Sequence, residues 1–165
     1  MVRLARILVP VDFSEPSDAA VEEAIFIARR FEAQMELLHV WRPDPSPDPD
    51  APTGSLTSFA RSDVGLEMRK YMELAESEGV AVRGRLACGD PEELILECAD
   101  DFDLVVMGTH GRSGVSHVLK PSVAEHVVRK ANVPVLTIHG PVERAVTSEQ
   151  PATQTESETS YVPII

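Results

Sequence analysis

Asp103-Leu104-Val105-Val106-Met107-Gly108-Thr109-His110-Gly111-Arg112-Ser113-Gly114 is the stretch that decides the fold, because a short apolar run ends abruptly in glycine-rich sequence. A run this short and rich in β-branched residues reads as a strand buried on both faces. Outward from it, the same character recurs in Arg6-Ile7-Leu8-Val9-Pro10-Val11-Asp12, in Met35 to Trp41 and in Val133 to Ile138. Val80 to Ala87 alternates apolar with polar or small residues over part of its length, the pattern of a half-exposed edge strand.

Helical signals fill the intervals. Ser14-Glu15-Pro16-Ser17-Asp18 combines a Ser cap, early acids and a Pro in the first turn. Ala20, Ala24, Ile27 and Phe31 then recur at helical spacing, with Val21, Ile25 and Ala28 widening the stripe toward an end near Glu32. Val64, Met68, Tyr71, Met72 and Ala75 place a second helix within Ser58 to Glu78, closed by Gly79. Gly89-Asp90-Pro91-Glu92-Glu93 opens a third, with Asp90 as cap and Leu94, Ile95 and Cys98 facing inward. A fourth runs from Ser122 to Lys130. Strands alternating with helices in this way predict an α/β fold, a doubly wound parallel sheet with right-handed crossovers and helices on both faces.

The 165 residues suit one compact domain, expected over residues 1–140, followed by an acidic, Ser/Thr-rich tail over 141–165. The tail lacks hydrophobic periodicity and is expected to be disordered, with docking of its apolar end, Tyr161 to Ile165, as the alternative. Proline at alternate positions makes Arg42 to Asp50 an exposed extended loop. A formal net charge of -12 repels a phosphate backbone, which argues against a nucleic-acid partner. No apolar run is long enough to span a bilayer, so the expected address is the cytoplasm and no membrane partner is expected. Cys88 and Cys98 have no metal-ligand spacing with any His and read as reduced thiols in the core.

In an open parallel sheet, ligands bind beyond the carboxyl ends of the strands where the strand order reverses. Asp12 ends the first strand, where its carboxylate can accept hydrogen bonds from ribose hydroxyls or simply cap the turn and helix that follow. After the fourth strand, Gly108, Gly111 and Gly114 let backbone approach a ligand, and Arg112 adds a fixed positive charge. Lys120-Pro121-Ser122 opens a helix whose first amides can hold phosphate, and the bland alternative is a flexible loop before a capped helix. His110 and His117 have no sequence-local carboxylate and nucleophile partners, so no catalytic residue is assigned. A Walker lysine loop and a zinc motif are both lacking, and Asp12 has no second acid beside it as a receiver-type phosphoacceptor would need.

These motifs, with Leu38-His39-Val40, Gly89-Asp90-Pro91, Ser122-Val123-Ala124-Glu125 and Val133-Pro134-Val135-Leu136, resemble the universal stress protein family from Arg3 to about His139. The resemblance implies a Rossmann-like five-stranded sheet of order 3-2-1-4-5 and a homodimer joined through Val135 to Ile138. Nucleotide-binding members carry G-x2-G-x9-G-S/T, a motif that holds ATP phosphates. Gly108, Gly111 and Ser122 match it, and Pro121 replaces the third glycine. Proline has no N–H to donate, and one lost charge-assisted hydrogen bond is about 1.5–3 kcal/mol. Proline nevertheless suits a first helical turn.

By resemblance, Val11 and Asp12 hold the adenosine side and Val40 the adenine. Met107, Gly108, His110, Gly111, Arg112, Ser122 and Val123 form the rest of the site, with core packing an equal reading for Val40 and Met107. The expected function is dimeric adenine-nucleotide binding in a stress response, with ATP as ligand and magnesium accompanying a triphosphate. At most, slow ATP hydrolysis or self-phosphorylation accompanies it. The alternative is a nucleotide-independent dimeric interaction module of the same fold with protein partners the sequence does not name.

Overall fold

A computed structural model describes residues 4–42, 63–109 and 123–140. In chain order it places β1 (Arg6–Pro10), α1 (Glu15–Phe31), β2 (Gln34–Trp41), α2 (Asp63–Ser77), β3 (Val82–Cys88), α3 (Pro91–Ala99), β4 (Leu104–Gly108), α4 (Val123–Lys130) and β5 (Val135–Ile138). The proline-rich loop beyond Arg42, the expected helix start at Ser58, the glycine segment from His110 through Ser122 and the tail over 141–165 lie outside the described residues.

The five strands form one sheet of order β3-β2-β1-β4-β5, and all four pairings are parallel. Neighbouring residues of β1 explain why its sequence does not alternate. Ile7 and Val9 enter a core shared with α1 and α2, while Leu8 enters a second core shared with α3 and α4, and all three are fully buried. Each face of the sheet is therefore apolar, as a doubly covered parallel sheet requires.

On α1 the buried side chains include Ala20, Val21, Ala24, Ile25 and Ala28, so the residues expected to widen the stripe lie at its centre. Phe31, expected to face inward, is 57% exposed. It occupies the last helical residue, directly before Glu32 turns into the left-handed region at φ 55°. Ser14 is the N-cap by position, yet its side chain makes no capping bond; its hydroxyl is turned back to donate to the Asp12 carboxylate.

Other terminal signals act as the sequence implies. Gly79 follows α2 at φ 77°, a conformation that favours glycine at a helix end. Asp90 caps α3 by accepting from the amides of Glu92 (2.9 Å) and Glu93 (3.4 Å). Ile95, Cys98 and Ala99 form the inward side of α3, and Leu94 is only half-buried. Burial pushes the Cys98 thiol up from its ordinary value. Cys88 is exposed, contrary to the expected core position, because it is the last residue of edge strand β3.

At the amino end of the sheet two carboxylates are firmly committed. Asp103 Oδ2 accepts from the amides of Ala5 (2.8 Å) and Arg6 (2.9 Å), joining the start of β1 to the approach to β4. Glu36, 2% exposed on β2, pairs with Arg83 and lies 3.6 Å from Arg85 on β3. Arg83 sits directly across from Glu36 in the strand register, so the buried charge is met from its own sheet neighbour. Among the described residues, no helix is long and apolar enough to cross a membrane.

Candidate functional site

β1 is flanked by β2 and β4, so the chain leaves the sheet in opposite directions on its two sides. That is the switch point at which doubly wound sheets open a crevice. A cavity of about 210 Å³ lies there, at the carboxyl ends of β1 and β4. Val11 and Asp12 border it after β1, Val40 near the end of β2, Met107 and Gly108 at the end of β4, and Val123 at the start of α4. The expected site residues His110, Gly111, Arg112 and Ser122 lie outside the described residues, as does Pro121.

The turn carrying Asp12 is pinned on several sides. Val11 N–H donates to the Leu38 carbonyl at 2.9 Å, extending the pairing with β2 by one residue. Val11 carbonyl oxygen lies 2.8 Å from His39 Nδ1. Since a carbonyl only accepts, this nitrogen carries the proton. Asp12 N–H donates to Ser17 Oγ at 3.0 Å, and Asp12 Oδ1 accepts from Ser14 N–H at 3.1 Å. Asp12 thus has the turn-capping role foreseen for it and is also exposed along the cavity wall.

Gly108 has a packing reason as well as a position in the wall. A Cβ built on it would stand 2.5 Å from both the carbonyl carbon and oxygen of Pro16 and 2.8 Å from Ser17 N. Those are backbone atoms of the first turn of α1, which cannot yield as the end of a flexible side chain can. Met107 is 5% exposed and belongs to the core beneath α3 and α4, against which Val40 also packs. Both therefore serve the core and border the cavity.

Ser17, Pro91, Ile95 and Thr109 also border the cavity without having been assigned to a site from sequence. Ser17 and Pro91 do belong to the two helix-start signals. In a parallel sheet every following helix begins at the carboxyl end of a strand, so α1, α3 and α4 all present their first turns to this one end. The positive ends of their dipoles favour an anion in the crevice, although the first amides of α3 are already taken by the Asp90 cap. Thr109 N–H donates to the Ile138 carbonyl at 2.8 Å, anchoring the start of the glycine segment to β5.

The universal stress protein family model matches residues 4–139, which include the whole sheet and every wall residue of the cavity. The chain belongs to the universal stress protein family. It is 37% identical over 142 residues to universal stress protein MJ0531 of Methanocaldococcus jannaschii, with 82% of each chain covered. The solved structure of MJ0577 from the same organism superposes with a TM-score of 0.67 at 27% identity, covering 86% of this chain and 99% of that one. A universal stress protein solved in complex with cAMP gives a TM-score of 0.66 at 24% identity, covering 84% and 99%. In this universal stress protein, Gly108 is the first motif glycine and the other motif positions fall in residues 110–122.

One more fixed contact lies next to Pro91, outside the cavity wall itself. Arg42 donates to Asp90 at 2.8 Å, linking the end of β2 to the cap of α3. Desolvation acts to raise the Asp90 carboxyl, but the amides of Glu93 and Glu92 and the Arg42 guanidinium outweigh it and hold the group below its ordinary value.

Proposed function

We propose that this universal stress protein binds an adenine nucleotide, with ATP the expected ligand, in the crevice beyond β1 and β4. The observation that carries the reading is the convergence of Val11, Asp12, Val40, Met107, Gly108 and Val123 on one space. Its chemistry suits the parts of the ligand. Apolar side chains of Val11, Val40, Ile95 and Met107 suit a planar base, and the Asp12 carboxylate suits ribose hydroxyls. The dipoles of the helices that start here suit phosphate.

A pocket for a whole drug-sized ligand is usually about 300–1,000 Å³. The space of about 210 Å³ is smaller than that, room for part of a nucleotide rather than the whole. The relative solved with cAMP supports the adenine class. Magnesium, where present, would accompany the triphosphate. Nucleotide occupancy would bias which surface the protein presents to its partners, and the protein acts in the cytoplasm.

We further infer a homodimer through β5. This strand is the edge of the sheet beside β4, and Leu136 on it is 36% exposed. Ile138 is 9% exposed and part of the core, so a charge at Leu136 is the cleaner probe. Leu136→Glu should lower the mass measured by light scattering without lowering the melting temperature much.

Calorimetric titration of nucleotide-free protein with Mg-ATP at stated salt tests the main reading. Micromolar affinity supports a working nucleotide sensor that tolerates Pro121. Silence up to millimolar ATP favours the second reading, a nucleotide-independent dimeric module, for which the missing proline N–H is the specific observation. Pro121→Gly separates the two, strengthening ATP binding only if the rest of the pocket is intact.

A further inference from the structure

Phe13 links β1 to α1 with φ at 61°, in the left-handed region where a bulky side chain is rare and glycine is the usual occupant. Glu32, the other non-glycine residue with positive φ among those described, ends a helix, where that conformation is ordinary. Phe13 has no helix end to account for it. Its ring is instead held by two others, with centroids 4.7 Å from the His39 imidazole and 5.7 Å from the Tyr71 ring.

Both neighbours are fixed to the same turn. His39 holds the Val11 carbonyl, and the Tyr71 hydroxyl donates to Asp18 in the first turn of α1. The groups that clamp Phe13 therefore also hold the residue before Asp12 and the helix after it. Phe13 does not itself border the cavity, because its ring packs into the core shared with α1 and α2. Any effect of the ring on a ligand must pass through the neighbouring Asp12. Backbone held in a sparsely populated conformation beside a site, and over-determined by its surroundings, sets geometry that the chain would not adopt alone.

We propose that Phe13 is a positioning residue: wedged between His39 and Tyr71, its ring holds the left-handed turn that directs the Asp12 carboxylate to the ribose hydroxyls. The assignment rests on the adenine-nucleotide reading given above. Glycine would permit the same φ but would also sample others, so the aromatic ring confers a single setting at the expense of backbone ease.

The test compares AMP with 2′,3′-dideoxyadenosine monophosphate, which lacks the hydroxyls, by calorimetry on the full chain. Wild type should prefer AMP by about tenfold or more, the worth of a hydrogen bond to a charged group. Phe13→Ala should bring the two ligands close to parity while leaving the dideoxy affinity nearly unchanged, as Asp12→Asn should. Equal weakening for both ligands, or an undiminished preference for AMP, overturns the assignment. If Phe13→Ala does not fold, Phe13→Gly takes its place, and a full AMP preference in that variant overturns the role of the ring. A wild type that binds both ligands without preference also overturns it, leaving the nucleotide reading intact. A wild type that binds neither overturns the assignment, and one that is also silent to Mg-ATP overturns the nucleotide reading with it.

Discussion

Acids at the two ends of the sheet are used in opposite ways. At the amino end, Asp103 accepts from two backbone amides and Glu36 is buried against arginines of the adjacent strand. At the carboxyl end, Asp12 caps its own turn yet remains exposed beside a cavity and three helix starts. The same residue type thus closes the fold at one end and faces a prospective ligand at the other. What differs is the partner set rather than the carboxylate. In a parallel sheet all helices begin at one end, so positive helix termini gather there and the opposite end must neutralise its acids by other means.

Substitutions can break or sharpen that contrast. The largest effect is expected at Gly108, where alanine forces displacement of the α1 backbone. A destabilisation of about 3 kcal/mol in chemical denaturation is expected, because overpacking against main chain is not relieved by a rotamer change. A variant as stable as wild type would show that the close approach is not maintained in solution.

Next comes Asp103→Ala, which removes the acceptor for two amides and should lower stability by about 2 kcal/mol. Nucleotide affinity should not change, and an altered affinity would break the separation between the ends. Asp12→Asn should reverse the pattern, shifting stability by about 0.5 kcal/mol or less while weakening AMP about tenfold.

The smallest effect concerns pH. The folded Asp90 carboxyl titrates below its unfolded counterpart, so its contribution is complete above the unfolded value and is lost as pH falls through the folded one. Asp90→Ala should therefore melt lower than wild type near neutrality, and the gap should narrow in acid. A gap independent of pH would mean that the charge plays no part in capping α3.

Much of this architecture is legible before folding. The fully buried strands announce themselves because Ile7, Leu8 and Val9 must all be apolar to serve two cores, and Pro91 and Gly79 mark helix ends by backbone chemistry alone. Phe31 misleads because periodicity records the face of a helix but not where its cover stops. Ser14 misleads because a cap residue identified from sequence does not reveal which way its hydroxyl turns, here back toward the Asp12 carboxylate. In the candidate site, Asp12 and Gly108 are visible as strand-end signals. Ile95 and Thr109 are not, since their place in the wall depends on which helix crosses over which strand.

The close approach of α1 to Gly108 has a consequence for reading sequence drift in this family. A lineage that gave up its ligand would still be held to glycine there, since any side chain would unseat the helix. The first motif glycine is thus a record of architecture more than of occupancy. Counting this glycine as a sign of occupancy therefore overstates how many such proteins still bind.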